Sequence, residues 1–216
     1  MDDLKIGVVA EGISDYWVIK HLVERLLKDK GAYTVSLQPK ITSAGKQDGY
    51  GGWKNVFRYI GYKEYIIDLA RNEGCDYVIV QLDTDVCEEY GVNKSTNHDI
   101  LFNCVCTKIN ETIHPDFNTS RIIPAICIHS LECWLIPFVS DDMMKCSRVD
   151  SCINVINNEI RPEGTIDKNN KGAALFLYSF ILAKKKKPKE IQEISKFNLG
   201  FSKFVEQLIK VKNSSE

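Results

Sequence analysis

The sequence predicts an α/β fold built on a parallel sheet of about four strands, and three features carry that expectation. Short apolar runs of strand length recur through the first 130 residues. Segments with helical periodicity separate them, and the runs stop at polar or acidic residues. Apolar runs that are continuous rather than alternating belong to strands covered on both faces, as in a parallel sheet flanked by helices.

Residues 4–10 (Leu-Lys-Ile-Gly-Val-Val-Ala) form the first expected strand, which ends at Glu11-Gly12. Beyond it, Ile19, Leu22, Val23, Leu26 and Leu27 recur at i, i+3, i+4, i+7 and i+8, so a helix is predicted that Gly31 stops. Residues 33–37 alternate as a strand. Residues 42–53 contain four glycines and read as a loop. A second helix is predicted over about 53–71, ending before Gly74. The β-prone run 77–82 (Tyr-Val-Ile-Val-Gln-Leu) stops at Asp83-Thr84-Asp85. A third helix is expected over about 96–113. Residues 121–128 make the last strand and enter His129-Ser130-Leu131-Glu132. Beyond 139 the pattern weakens: 140–171 is polar and turn-rich, 172–183 is an apolar helix, and Phe204, Leu208 and Ile209 mark a final amphipathic one. The division expected is a core over 1–138 and a helical C-terminal extension over 139–216 packed on it, with no second core.

Composition bounds the function classes. The 216 residues are 44% apolar and 26% charged, enough to build a core and too apolar for wholesale disorder. No apolar run approaches the ~20 residues of a membrane span. The first residues lack the basic and apolar regions of a secretory signal, so a soluble, cytoplasmic protein is expected. A net charge of −1 hides an asymmetry: residues 161–216 carry 12 Lys and Arg against 6 Asp and Glu, and the first 160 carry 16 against 23. A basic tail region can follow a polyanion, or it can be a solvated helix surface. The eight cysteines are irregularly spaced with no Cys-x-x-Cys pair, so they are expected to be reduced thiols rather than a zinc site.

Right-handed crossovers put the carboxyl ends of all parallel strands on one edge of the sheet, where ligands of open α/β sheets bind. Glu11, Asp83, Asp85, Ser130 and Glu132 all fall at such ends. Converging carboxylates raise one another's pKa unless a cation intervenes, and Mg²⁺ or Mn²⁺ with hard oxygen ligands suits such a cluster. His129, Trp53 and Trp134 read first as structural residues, with base stacking an alternative for Trp53. Ser14 reads as a helix N-cap.

Val9-Ala10-Glu11-Gly12-Ile13-Ser14-Asp15 and Gln81-Leu82-Asp83-Thr84-Asp85 resemble the TOPRIM domain of topoisomerases, primases and OLD (overcoming lysogenization defect) nucleases. The resemblance covers about residues 4–135. It implies a Rossmann-like sheet with a helical extension and a Mg²⁺ site for phosphodiester chemistry. Within that family the sequence is most similar to the OLD-like branch and to small stand-alone TOPRIM proteins of phage defence. In those, an acidic residue four after the Glu, here Asp15, joins the metal site. Ser130-Leu131-Glu132 matches a contributing Ser-x-Glu, and Lys171 matches an assisting lysine. Gly51-Gly52-Trp53-Lys54-Asn55 resembles a Gly-Gly-Lys-Asn stretch that Trp53 interrupts, and Glu132-Cys133-Trp134-Leu135 resembles Glu-Ala-Trp-Leu. No phosphate-binding Gly-x-x-x-x-Gly-Lys-Ser/Thr loop occurs, so an ATPase would have to be a separate partner.

The expected function is a divalent-metal-dependent endonuclease acting on DNA or RNA. Metal ligands would come from Glu11, Asp15, Asp83, Asp85, Ser130 and Glu132, and the catalytic set would be Glu11, Asp83, Asp85 and Lys171. Glu11 can serve as ligand or as general base. The alternative is a non-catalytic subunit that grips nucleic acid or a partner. The lysines at 184–187 and 189 either follow a phosphate backbone or lie in solvent.

Overall fold

The fold is described from a computed structural model over residues 3–62, 74–167 and 171–214. Strand β1 (Lys5–Val9) leads into α1 (Ile13–Leu26), and a left-handed Gly31 turns the chain into β2 (Tyr33–Gln38). Two short strands follow, β3 (Lys40–Ile41) and β4 (Gln47–Asp48), then α2 (Trp53–Gly61). Next come β5 (Tyr77–Asp83), α3 (His98–Thr112) and β6 (Ile122–Cys127). The C-terminal part supplies α4 (Ile136–Val139), α5 (Met143–Cys146), α6 (Cys152–Glu159), α7 (Lys171–Leu182), α8 (Pro188–Ser195) and α9 (Leu199–Ser214).

The main sheet is four-stranded and parallel in the order β2-β1-β5-β6. Its period-two alternation sorts side chains onto two faces, and helices cover both. Val8, Ile79 and Ala125 point into one cluster, shared with α1 and α7–α9; Val9, Val80 and Ile126 point into the other, shared with α2 and α3. Burial on both faces is the reason these strands read as continuous apolar runs.

The segment expected as a helical extension forms, with α1, one of the two covering layers. Trp134, fully buried, stacks on Phe201 at 5.1 Å and Phe204 at 5.4 Å between ring centroids. α9 crosses β6 so closely that a Cβ on Gly200 would stand 2.0 Å from the Ile126 carbonyl oxygen. This approach, rather than backbone flexibility, is what demands glycine there.

Several expectations change. The glycine-rich segment holds an antiparallel pair, Lys40 opposite Asp48 and Ile41 opposite Gln47. The polar stretch after 139 contains short helices whose start signals are local: Asp142 Oδ1 accepts from the Met144 amide at 2.9 Å, and Pro188 opens α8, where its missing N–H costs nothing. The second helix reaches Gly61, and the remainder of its expected span, 63–71, lies outside the described residues. A disulfide joins Cys133 to Cys152, Cα atoms 5.1 Å apart, where eight thiols were expected. Nothing in the spacing of two cysteines 19 residues apart announces that pairing; the turn before α4 and the start of α6 create it. Among the described residues no helix is long and apolar enough to cross a membrane.

Gly200→Ala tests the close approach of α9. Alanine is the better helix former by about 1 kcal/mol, yet here its methyl overlaps a backbone oxygen. The expected result is a net loss of about 2 kcal/mol, a fall in Tm of roughly 4–8 °C by calorimetry. A rise in Tm would contradict this packing.

Candidate functional site

The carboxyl ends of β1 and β5 lie side by side, with Val9 paired to Val80, so register alone brings Glu11 level with Leu82 and next to Asp83. Hydrogen bonds then fix the two ends together. The Glu11 amide donates to Gln81 Oε1 at 3.0 Å, and Glu11 Oε1 accepts from the Asp83 amide at 2.8 Å. Gln81 Nε2 donates to Asp83 Oδ1 at 2.9 Å. Gln81 is wholly buried and stands two residues before Asp83 on the same side of the strand. A buried amide inside an apolar strand needs partners, and that need was the sequence signal for this bridge.

Two glycine-bearing turns close over Glu11. Gly12 is the N-cap of α1, correcting the reading of Ser14, which lies inside the first turn. The Ile13 amide is satisfied by Gln47 Oε1 at 3.2 Å. Asp15 in that first turn sits where the helix dipole favours a carboxylate. From the other side the Gly52 amide donates to the Glu11 carbonyl at 2.7 Å, and a Cβ on Gly51 would stand 2.3 Å from the same oxygen. The 49–52 loop therefore lies directly on the end of β1.

Asp85 and Glu132 arrive on latched turns. The Thr84 and Asp85 amides donate to the His129 carbonyl at 2.9 and 3.0 Å, and the His129 amide donates to Thr84 Oγ1 at 2.7 Å. His129 has a φ of 68°, in the left-handed region, so it acts as the corner of this latch. Glu132 follows in a buried turn, where the Tyr178 hydroxyl donates to Glu132 Oε1 at 2.9 Å.

Five of the expected residues, Glu11, Asp15, Asp83, Asp85 and Glu132, line one cavity of about 320 Å³ together with Ser14, Gly52, Ala174 and Tyr178. Asp83 is half-buried by exposed area, yet desolvation is the largest cause that lifts its carboxyl well above the usual carboxylate range. The negative charges of Asp15, Glu11, Glu132 and Asp85 add to that shift. Tyr178 is pushed up by burial, then by the charge and hydrogen bond of Glu132. Tyr90, whose hydroxyl donates to the Asp83 carbonyl at 2.9 Å, is pushed up chiefly by burial. Tyr90, Tyr178 and Gln81 are the supporting residues that the sequence reading missed.

Two expected residues stand differently. Ser130 is buried with its hydroxyl 3.9 Å from Cys133 Sγ and does not line the cavity. Lys171 opens α7, three and seven residues before the cavity-lining Ala174 and Tyr178; its side chain lies outside the described residues. Trp53 is half-buried, packs against Phe57 and Tyr90 at 6.2 and 5.7 Å, and donates to Glu89 Oε2, so it anchors the loop. Trp134 is a core residue, and His21 Nδ1 is tied to the Trp17 carbonyl at 2.8 Å. The 184–187 lysines follow the C-terminal end of α7. There Arg25, near the far end of α1 from Asp15, donates to the Leu182 carbonyl, and Lys185 binds Asp141 and the Pro137 carbonyl. Ten helical residues separate Asp15 from Arg25, about 15 Å, which places this run away from the carboxylates.

The donor set fits a hard divalent cation: every donor is oxygen, the floor is desolvated, and the mutual repulsion is of the kind a cation relieves. The side chains are also spread. Among the described residues no group of three His, Cys, Asp or Glu side chains is drawn together tightly enough to hold an ion. Protein donors engage several of these oxygens, including those on Glu11, Asp83 and Glu132. No family model, curated protein or solved structure matches the chain.

Asp83→Asn tests the electrostatics. A carboxyl whose folded pKa is raised holds its proton longer in the native chain than in the unfolded one, so its burden on stability grows as pH rises from the ordinary aspartate value upward. The variant keeps an acceptor for Gln81 and loses the charge. In EDTA at neutral pH it should melt several degrees above wild type, about 2–4 °C per kcal/mol at this size, and the gap should close on acidification. A variant less stable than wild type at neutral pH would refute the repulsion.

Proposed function

We propose that this chain is a divalent-metal-dependent phosphodiesterase, a TOPRIM-like nuclease that cleaves DNA or RNA. The observation that carries the proposal is the convergence of five carboxylates on one cavity at the carboxyl ends of parallel strands. A binding module would need cations there; a concentration of negative charge beside a substrate that is itself a polyanion makes sense with metal ions between them. Glu11, Asp83 and Asp85 would hold Mg²⁺ or Mn²⁺, with Asp15 and Glu132 at the margin. Held there, such an ion would supply Lewis-acid polarisation of a phosphoryl oxygen and lower the pKa of a water.

The chain's own residues prepare that site. The Asp83 amide orients the Glu11 carboxylate, which would take a ligand or a proton from water. Tyr178 aims Glu132 and, with its pKa raised by burial and by Glu132, stays protonated as a donor. The Gln81 bridge holds Glu11 and Asp83 at fixed separation. Lys171 is proposed to meet the developing charge on the phosphate. The resemblance extends the proposal to an effector of phage defence working with a separate ATPase. The spread of the carboxylates favours a second reading, a non-catalytic subunit of the same fold.

Cleavage assays on single- and double-stranded DNA and RNA separate the two. Activity is expected with Mg²⁺ or Mn²⁺ and none in EDTA. Asp85→Asn and Lys171→Met should each lower the rate about a hundredfold or more with unchanged melting behaviour. Full activity in a folded Asp85→Asn chain would reject the assignment; no cleavage of any substrate with either metal would favour the non-catalytic subunit.

A further inference from the structure

A second cavity, of about 380 Å³, opens beside the carboxylate site and differs from it in charge and composition. It lies beyond the end of β2, the strand next to β1: Gln38 forms part of its wall and accepts from the Ala10 amide at 2.7 Å, one residue before Glu11. The 49–52 loop is the partition, with Tyr50 on the wall of one cavity and Gly52 on the wall of the other. Neighbouring strand ends are about 4.8 Å apart, so the two cavities lie within a few nucleotides of one another along an extended strand.

Lys40 and Arg58 line this second cavity and are exposed, and neither has an ion-pair partner among the described residues. Some surface lysines are neutralised, as Lys145 is by Glu159 and Lys212 by Asp29, and these two cations are not. Tyr50 is 93% exposed, an aromatic ring held in water with no contribution to the core. Its backbone is nonetheless fixed, because Asn55 Nδ2 donates to the Tyr50 and Gly51 carbonyls, both at 2.8 Å. An aromatic face on a fixed backbone, sharing its cavity with two cations and one carboxylate, Asp48, has the chemistry of a stacking platform with phosphate contacts.

We infer that this cavity seats an unpaired nucleotide of the strand cleaved at the carboxylates, its base against Tyr50 and its flanking phosphates on Lys40 and Arg58. The inference rests on the proposed nuclease function. A base inside a duplex is already stacked on its neighbours and cannot use Tyr50 without being unstacked, so the site selects single-stranded or frayed substrate. It also supplies the cationic contact that the 184–187 lysines, at the other end of α1, do not.

The test is oligonucleotide binding in Mg²⁺ by the Asp85→Asn chain, with single-stranded DNA, single-stranded RNA and a duplex of the same length. Adding Tyr50→Ala should weaken single-strand binding about tenfold and duplex binding much less. Adding Lys40→Ser and Arg58→Ser should flatten the salt dependence of log K by about 1.4, or 0.7 per lost phosphate contact. A loss confined to DNA or to RNA supports the site and names the strand. Tight single-strand binding that both sets of substitutions leave unchanged, in affinity and in slope, would overturn the inference while the nuclease reading stands. Failure of the Asp85→Asn chain in Mg²⁺, and of the unsubstituted chain in Ca²⁺, to bind any of the three oligonucleotides would overturn both.

Discussion

Five carboxylates share one cavity at the end of a parallel sheet, and most of the surrounding architecture serves to keep them there. Left to themselves, like charges on a desolvated floor repel, and the raised pKa of Asp83 registers its burial first and that repulsion second. What opposes it is a set of short backbone contacts: the Asp83 amide on Glu11, the Gln81 amide on both, and the latch between the turns after β5 and β6. The sheet places the charges by register and the hydrogen bonds hold them. Such a cluster costs stability in the free protein, and on the proposed reading a bound cation would recover it.

The C-terminal segment matters more to this site than its position in the chain suggests. α7 contributes Ala174 and Tyr178 to the cavity wall, and Tyr178 holds Glu132. α9 seals β6 through Gly200 and the ring stack on Trp134, the residue two after Glu132. The Cys133–Cys152 disulfide ties that same turn to the start of α6. Glu132 is thus held through the two residues that follow it and across the cavity: a buried aromatic residue, a covalent link and a tyrosine hydroxyl all bear on one short turn.

The strand ends were legible in the sequence because β-prone runs that stop at acids have few other readings, and the parallel order followed from the helices between them. Glu11, Asp83, Asp85 and Glu132 could be located that way. Asp15 came from a resemblance, since a first-turn aspartate otherwise has a dipole explanation of its own. What stayed hidden depended on three-dimensional adjacency. Nothing near Tyr178 in sequence says that it meets Glu132, 46 residues away. The polar stretch after 139 concealed short helices because α5 is one turn set by the Asp142 cap, and α6 buries only Cys152, Val155 and Ile156, too short a run for an apolar period to repeat. The lysine run read equally as a substrate track or a solvated face, and the position of α7 against α1 sets it away from the carboxylates.

The account stands or falls on where a divalent ion binds. Crystals soaked in Mn²⁺ and measured at the manganese absorption edge would show the answer as anomalous density. A peak is expected among Glu11, Asp83 and Asp85, with those side chains drawn in from the spread they have now. Ordered carboxylates with no peak between them, or manganese bound only elsewhere on the chain, would contradict it.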